Sequence, residues 1–569
     1  MAPAKLLPHQ PALENLAPPS ASTPRMTDVE DTKRDIRHDE IKDVDAKDGL
    51  SHAHQKEVQN AELYAAIQAT NIPRWSKASL HLYLCIFTAF LCSNANGYDG
   101  SLMTALLAMP HYQSTFNSGT TGPKVSVIFS FYTVGAICGA PAAAWVADRF
   151  GRRVGMFLGG LIILAGMAIA ASAKTIAQFT VGRFVLGLGI SLMTICAPAY
   201  ATEVAPPHWR GRATAFYNIG WYGGAIPAAA ITFGTNYINS NLSWQIPLIL
   251  QAYSCLFVMT LVFFIPESPR YLMANGKEDQ AFDFLVKYHG NGDRDAPLVR
   301  LEMAEWRDQI SQTGADKKWW DYRPLFNKPS NRWRALQIIM IACFSQYCGN
   351  GLGYFNTVIY ASLGVTSVTT QLGYNLLGQC LGAICAVLSS SYADRVPHRP
   401  VLVAGNSACA VWLAIQAALS TVMAKQQAET GTFSQSVAKG ALASFFMFGV
   451  CYALCYTPLT ALVATEAMDS NTRAKGLALS TILVNAMLFL NQFAGPIALA
   501  NITYHYYWVF VGLDVVYSLC WWLFYVETHG RTLEEMDWVY HQTWPPKAAR
   551  HVEKVLVSSQ GQVQAVVSA

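Results

Sequence analysis

Between residues 80 and 526 the chain repeats one feature: apolar runs long enough to cross a lipid bilayer as helix. A spanning helix needs about 17–25 largely apolar residues. Roughly twelve such runs follow one another, over 80–107, 125–147, 154–173, 176–199, 213–235, 244–265, 335–361, 371–392, 401–423, 440–464, 474–500 and 507–526. A buried core helix of a water-soluble protein could explain one of them, but not so many at full length. The composition agrees, with 52% hydrophobic and 13% charged residues, against about a quarter charged in an average soluble domain. An all-α, multi-pass membrane protein is therefore expected. The first run is not a cleaved signal peptide, because a long polar stretch precedes it.

Lysine and arginine fall in alternate loops. "DRFGRR" (148–153), "HWRGR" (208–212), the 267–334 segment, "DRVPHR" (394–399) and "NTRAK" (471–475) are basic, while "TNYINSN" (235–241), "GVTSV" (364–368) and "NITYHY" (501–506) carry neither residue. The positive-inside rule places the basic set, and with it both termini, in the cytoplasm. The sequons at Asn241 and Asn501 then face outward, a weak support because loops so close to the membrane are poor acceptors.

Residues 1–78 mix proline-rich and mixed-charge sequence and are expected to form a disordered cytoplasmic tail, with a short amphipathic helix near 55–69. Residues 79–265 and 335–526 make two six-span halves, joined by a helical cytoplasmic domain at 266–334 and followed by a tail at 527–569. All thirteen cysteines fall within apolar runs without zinc-ligand or thioredoxin spacing, which points to helix packing. The P-loop, the HExxH zinc site and the GxSxG nucleophile elbow are absent, so no enzyme chemistry, no metal and no cofactor are expected. The net charge of +4 is accounted for by the topology rule and calls for no nucleic-acid partner.

The halves repeat a pattern. "ADRFGRR" (147–153) after the second run matches "ADRVPHRP" (393–400) after the eighth, and "ATEVAPPHWRGRA" (201–213) matches "ATEAMDSNTRAKG" (464–476). Glu203 and Arg210, seven apart, thus correspond to Glu466 and Arg473. Parallel repeats of this kind put a substrate site near the midplane between two bundles.

Together with "NGYDGSLM" (96–103), "GRFVLGLGISLMTICAPAYATEVAPPHWRGR" (182–212), "PESPRYLMANGKEDQA" (266–281), "SQYCGNGL" (345–352), "NQFAGPIAL" (491–499) and "ETHGRTLEEMD" (527–537), these motifs resemble the major facilitator superfamily. The likeness is to its sugar porter family in the fungal, lactose-permease-like branch, and extends over about 79–540. It implies the major facilitator fold, with twelve transmembrane helices in two six-helix bundles and a cytoplasmic helical linker. It also implies a monomeric carrier in the lipid bilayer of a fungal plasma membrane, moving a small-molecule sugar, with protons, by alternating access.

The resemblance assigns proton coupling to Asp99 and Arg183. The physics is independent of the family: low dielectric tightens a carboxyl's hold on its proton and a nearby arginine loosens it, so a motion that respaces the pair switches proton affinity. A permanent ion pair tying the helices is the competing reading. Asp148, Arg149, Arg152, Arg153, Glu203, Arg210, Glu267, Arg270, Asp394, Arg395, Glu466 and Arg473 resemble the family's cytoplasmic gate. "DRVPHRP" lacks the glycine and the second arginine of "DRFGRR", so a weaker network is expected in the second half.

For substrate the matching positions are Asn218, Gln346, Asn350, displaced by one position, and Val484 or its neighbour Asn485, with Tyr354, Phe355, Asn356 or Trp221 able to compensate for the family's sugar-stacking tryptophan, which is Ala461 here. Amides and hydroxyls suit sugar OH groups, and an aromatic suits the apolar face. Two other readings stay open: a carrier, in either direction, of a polyol, organic acid or secondary metabolite, and a nutrient sensor that keeps the fold without transport.

Overall fold

The computed structural model describes residues 66–67, 69–70, 73, 75–314, 322–392, 396–468, 472–529, 533–550, 553–557 and 563–568. Residues 1–65 of the expected tail, and with them most of the helix at 55–69, lie outside the described residues.

Every apolar run forms helix. The first half contains α1 (Lys77–Leu106), α2 (Pro123–Phe150), α3 (Arg152–Ala171), α4 (Ile176–Val204), α5 (Arg210–Thr235) and α6 (Leu242–Leu261). Helices α7 (Pro269–Ala274), α8 (Glu278–Tyr288) and α9 (Pro297–Gly314) form the linker. The second half contains α10 (Pro329–Tyr347), α11 (Asn356–Ser362), α12 (Val368–Tyr392), α13 (His398–Thr430), α14 (Gln435–Glu466), α15 (Arg473–Asn501) and α16 (His505–Phe524). Among the described residues, 10 helices are long and apolar enough to cross a membrane. The fifth and seventh runs fall short, for a visible reason. Within the fifth run α5 carries Asn218 and the weakly hydropathic Gly220, Gly223, Gly224 and Gly234. The seventh run breaks at Gly349, whose φ of 92° suits glycine, into a 3₁₀ turn (Asn350–Phe355) between α10 and α11. Broken helix at membrane depth is tolerated where it lines a cavity or is buried in protein.

Glycines set how closely the helices approach. A Cβ on Gly97 of α1 would lie 1.8 Å from the Trp221 carbonyl oxygen of α5, and one on Gly224 of α5 would lie 1.9 Å from that of Asn94. Gly135 of α2 and Gly187 of α4 interlock likewise, at 2.1 Å from Phe184 O and 2.0 Å from Tyr132 O. Without a hydrophobic drive between helices in lipid, such small-residue contacts hold the bundle and place α1, α2 and α4 around one point. The linker docks on the first half: Ala281, Leu285, Val299 and Met303 share a buried cluster with Cys85, Val258 and Ile265.

Past α16 the chain forms α17 (Leu533–His541), which covers the base of α10, with the Arg334 guanidinium 4.7 Å from the Tyr540 ring centre. The fold is all-α as expected, and after it in sequence two short strands, β1 (Glu553–Val557) and β2 (Val563–Ser568), pair antiparallel. Their valine-rich sequence favours strand.

Candidate functional site

Asp99 and Arg183 meet in the first bundle, 1% and 2% exposed. Arg183 Nη1 donates to both carboxylate oxygens, at 2.6 and 2.7 Å. The Gln251 side-chain amide, from the irregular turn in the middle of α6, donates to Asp99 Oδ1 at 3.2 Å. On the other side the guanidinium lies 4.5 Å from the centre of the Tyr132 ring, whose hydroxyl donates to Asn96 Oδ1 at 3.0 Å. The arginine is thus held between a carboxylate and an aromatic face, an arrangement strengthened by loss of water.

One residue beyond Asp99, Gly100 opens onto a cavity of about 180 Å³ between the two halves. Trp221 and Tyr222 of α5 line it from the first half, and Asn350, Tyr354, Asn356 and Gln379 from the second. The absence of a side chain at Gly382 lets Tyr222 in, since a Cβ there would lie 2.7 Å from its ring. Pockets for drug-sized ligands run about 300–1,000 Å³. The space here suits a smaller polar molecule.

Of the expected substrate residues, Asn350 and Tyr354 line the cavity. Gln346 stands behind Asn350, accepting its side-chain amide at Oε1 (3.2 Å), while Asn491 donates to the Gln346 carbonyl at 2.8 Å. Asn218 is half-buried and is not among the lining residues. Asn485 donates to Thr481 O of its own helix at 3.0 Å and also lies outside the lining. Phe355 is buried against Phe129, with ring centres 5.2 Å apart. Tyr222 and Gln379 were missed. The signal for Gln379 was an amide between Gly378 and Gly382 in an otherwise apolar run.

Hydrogen bonds across the halves cluster away from the basic loops. Thr357 Oγ1 donates to Thr104 O (2.8 Å), Thr104 Oγ1 to Tyr354 O (3.2 Å), the Gly122 amide to Pro496 O (3.2 Å), and Asn236 Nδ2 to Thr369 Oγ1 (3.2 Å). Deeper in, Thr133 Oγ1 donates to Gln492 Oε1 at 2.5 Å.

At the basic end the charges sort within each half. Arg152 grips Glu203, with Nε 3.0 Å from Oε2 and Nη2 3.1 Å from Oε1, and lies 3.7 Å from exposed Asp148. Glu267 accepts the main-chain amides of Arg152 (3.1 Å) and Arg153 (3.4 Å), capping α3. Arg153 Nε donates to Val262 O at 2.9 Å, and Tyr271 donates to the Arg149 carbonyl at 3.1 Å. In the second half Glu527 caps α13 through the amides of His398 (3.0 Å) and Arg399 (2.9 Å), and Thr528 donates to Glu466 Oε2 at 2.7 Å. Burial raises the carboxyls of Glu267 and Glu466 above the ordinary glutamate range, against opposing hydrogen bonds in both. Glu203 and Arg210 find separate partners: Arg210 Nη2 donates to Glu302 Oε1 of the linker at 2.9 Å. Arg270, the second residue of α7, is exposed. Asp394, Arg395, and the side chains of Arg473 and Ala461 lie outside the described residues.

The family model described as "Sugar (and other) transporter" matches residues 84–540. An MFS-type transporter, criB, of Aspergillus cristatus is 26% identical over 450 residues, covering 79% of this chain and 91% of the relative. A high-affinity glucose transporter of Kluyveromyces lactis is 26% identical, covering 81% and 85%. Among solved structures, the MFS proton:xylose symporter XylE bound to 6-bromo-6-deoxy-D-glucose superposes with a TM-score of 0.66 at 19% identity, covering 81% of this chain and 100% of the other. The inward open xylose transporter XylE from E. coli gives 0.64 at 18%, covering 80% and 99%. At such identity these two structures establish the fold, a two-bundle major facilitator architecture.

Proposed function

Because the chain belongs to the family of sugar (and other) transporters, we propose that it carries a sugar across the membrane by alternating access, coupled to protons. The observation that carries this reading is the adjacency of the buried Asp99–Arg183 pair to a small cavity lined by amides and aromatic rings from both halves. Amides of Asn350, Asn356 and Gln379 suit hydroxyl groups, and Trp221, Tyr222 or Tyr354 suits the apolar face of a pyranose. The similarity to a glucose transporter and to a proton:xylose symporter supports the same class.

In this reading the basic loops and both termini are cytoplasmic in a fungal plasma membrane. The bonds joining Thr104, Thr357, Gly122 and Asn236 to the opposite half then close the exterior end. The rings of charge around Glu203 and Glu466 form the cytoplasmic gate that parts and rejoins as the halves rock. A proton arriving at Asp99 neutralises the carboxylate and frees Arg183 from its partner; leaving toward the cytoplasm, it restores the pair. Both walls of the cavity come from one chain, which supports a monomeric carrier.

The test is expression in a yeast strain lacking its own sugar carriers, with uptake of labelled glucose, xylose, lactose and cellobiose and the external pH followed together. Saturable uptake with alkalinisation is expected. Surface expression with no uptake of any sugar contradicts the sugar reading; uptake of polyols or organic acids in the same cells would then identify the non-sugar alternative.

A further inference from the structure

Two carboxylates fall within the twelve apolar runs of this chain: Asp99 and Asp514. Asp99 is paired. Asp514, in the middle of α16, is 0% exposed, and neither of its carboxyl oxygens has a hydrogen-bond partner among the described residues. The second half has no counterpart of the Asp99–Arg183 pair: residues 335–361 contain no acid and 440–464 no arginine.

The surroundings of Asp514 are polar but neutral. Asn406 of α13 donates to its main-chain carbonyl at 2.7 Å and to Ser518 Oγ at 2.9 Å. Asn406 Oδ1 accepts the Tyr456 hydroxyl at 3.0 Å, and that hydroxyl accepts the Trp521 indole at 3.2 Å. These groups spend their hydrogen bonds on one another and on backbone, not on the carboxyl. The titratable groups around it are two thiols and two phenols: Cys348 beyond α10, Cys409 of α13, Tyr456 of α14, and Tyr517 of its own helix. Charged residues of the packed helices sit toward their ends, at Arg332 and Arg334 of α10, His398, Arg399, Lys425 and Glu429 of α13, and Lys439 and Glu466 of α14. Arg399 reaches α16 only at the Trp522 carbonyl, eight residues along.

An unpaired ionised carboxylate does not persist in such a place, whereas a protonated one does. The site also adjoins the cavity. Tyr452 lines the cavity, its ring centre lies 5.5 Å from that of Tyr456, and Tyr456 leads through Asn406 to the turn that carries Asp514. We propose that Asp514 is a second proton-binding site of this carrier, in the half without an acid–arginine pair, protonated in the conformation seen here and releasing the proton when the bundle rearranges.

The test is pH-dependent infrared difference spectroscopy on the full-length protein in lipid, reading the deuterium-sensitive carbonyl band of protonated carboxyls. The wild type should show a band that falls as pH rises; it should be absent in Asp514→Asn and retained in Asp99→Asn. Asp514→Glu, which keeps the carboxyl and covers the case in which the amide variant does not fold, should move the band. An identical band in the Asp514 variants, or an Asp514 band unchanged up to the pH of unfolding, overturns the proposal; the second result identifies a fixed neutral packing group. The readout needs no substrate, so it stands or falls separately from the uptake assay.

Discussion

His398 occupies in the second half the place that Arg152 holds in the first. Each is the first residue of the helix that follows the "ADR" motif, and each has its main-chain amide capped by a glutamate, Glu527 or Glu267. Each turns its side chain toward the acid at the end of a long helix: Arg152 Nε lies 3.0 Å from Glu203, His398 Nδ1 3.5 Å from Glu466. The repeat has exchanged arginine, a planar fork of donors, for an imidazole that reaches the acid through one ring nitrogen. Arg152→His should therefore lower Tm in detergent more than His398→Arg changes it, since only the first removes a two-nitrogen grip on an acid, Glu203. Equal shifts in the two variants would show that the exchange does not matter to the hold on these acids.

Glu267 predicts a pH dependence of stability. Burial raises its carboxyl from the ordinary 4.5, so between that value and the folded one the native state holds more proton than the unfolded state. A raised carboxyl contributes stability that is complete below the unfolded value and is lost as pH rises through the folded one. Glu267→Gln, which titrates nowhere, should show a shallower fall in Tm with rising pH above 4.5 than the wild type. Equal slopes would count against the assignment.

The linker is fastened through buried Glu302, which meets buried His289 and partly exposed Arg210. His289 Nδ1 lies 2.5 Å from Glu302 Oε2, His289 Nε2 meets the Val204 carbonyl at the end of α4 at 3.0 Å, and Arg210 holds the other Glu302 oxygen at 2.9 Å. Removing one member of a buried ionic group costs about 3–5 kcal/mol because its partners stay unpaired. Glu302→Ala should lose stability on that scale and expose the linker to limited proteolysis, and Glu302→Gln should lose less. Proteolysis at the wild-type rate in the alanine variant would mean that the linker is held by its apolar face alone.

Packing between α1 and α5 gives a stability prediction. Gly224→Ala places a methyl against the Asn94 carbonyl, while Gly234→Ala in the same helix meets nothing within 4 Å. The first should cost about 1–3 kcal/mol by overpacking, and the second should gain up to about 1 kcal/mol from helix propensity. Thermal unfolding in detergent compares them directly; similar shifts would contradict the close approach.

The spans were legible because hydrophobic length is a one-dimensional property, as was the internal repeat, since both halves reuse one motif at one place. The break at Gly349 was half legible: the glycine-rich "GNGLGYF" (349–355) allows a helix either to pack closely or to break, and the sequence alone does not choose between them. Glu302 was not legible, since its partners lie 13 and 92 residues away and meet it only in the fold. Substrate positions were partly legible: the spacing that brings Asn350 and Tyr354 to the cavity is local to one broken turn. Asn485 faces elsewhere, because rotation of α15 is set by packing against other helices. Asp514 was not singled out at all, because one acid in an apolar run carries no signal of its own; its burial and unpaired oxygens appear only in the fold.

The central claim is that the Asp99–Arg183 pair converts a proton gradient into movement of substrate. Its most direct measurement compares wild type and Asp99→Asn in vesicles, following accumulation of labelled sugar against a gradient and, separately, exchange at equal concentrations on both sides. Asp99→Asn should lose accumulation and keep exchange, since the amide is neutral at every pH. Undiminished uphill accumulation in that variant would contradict the account.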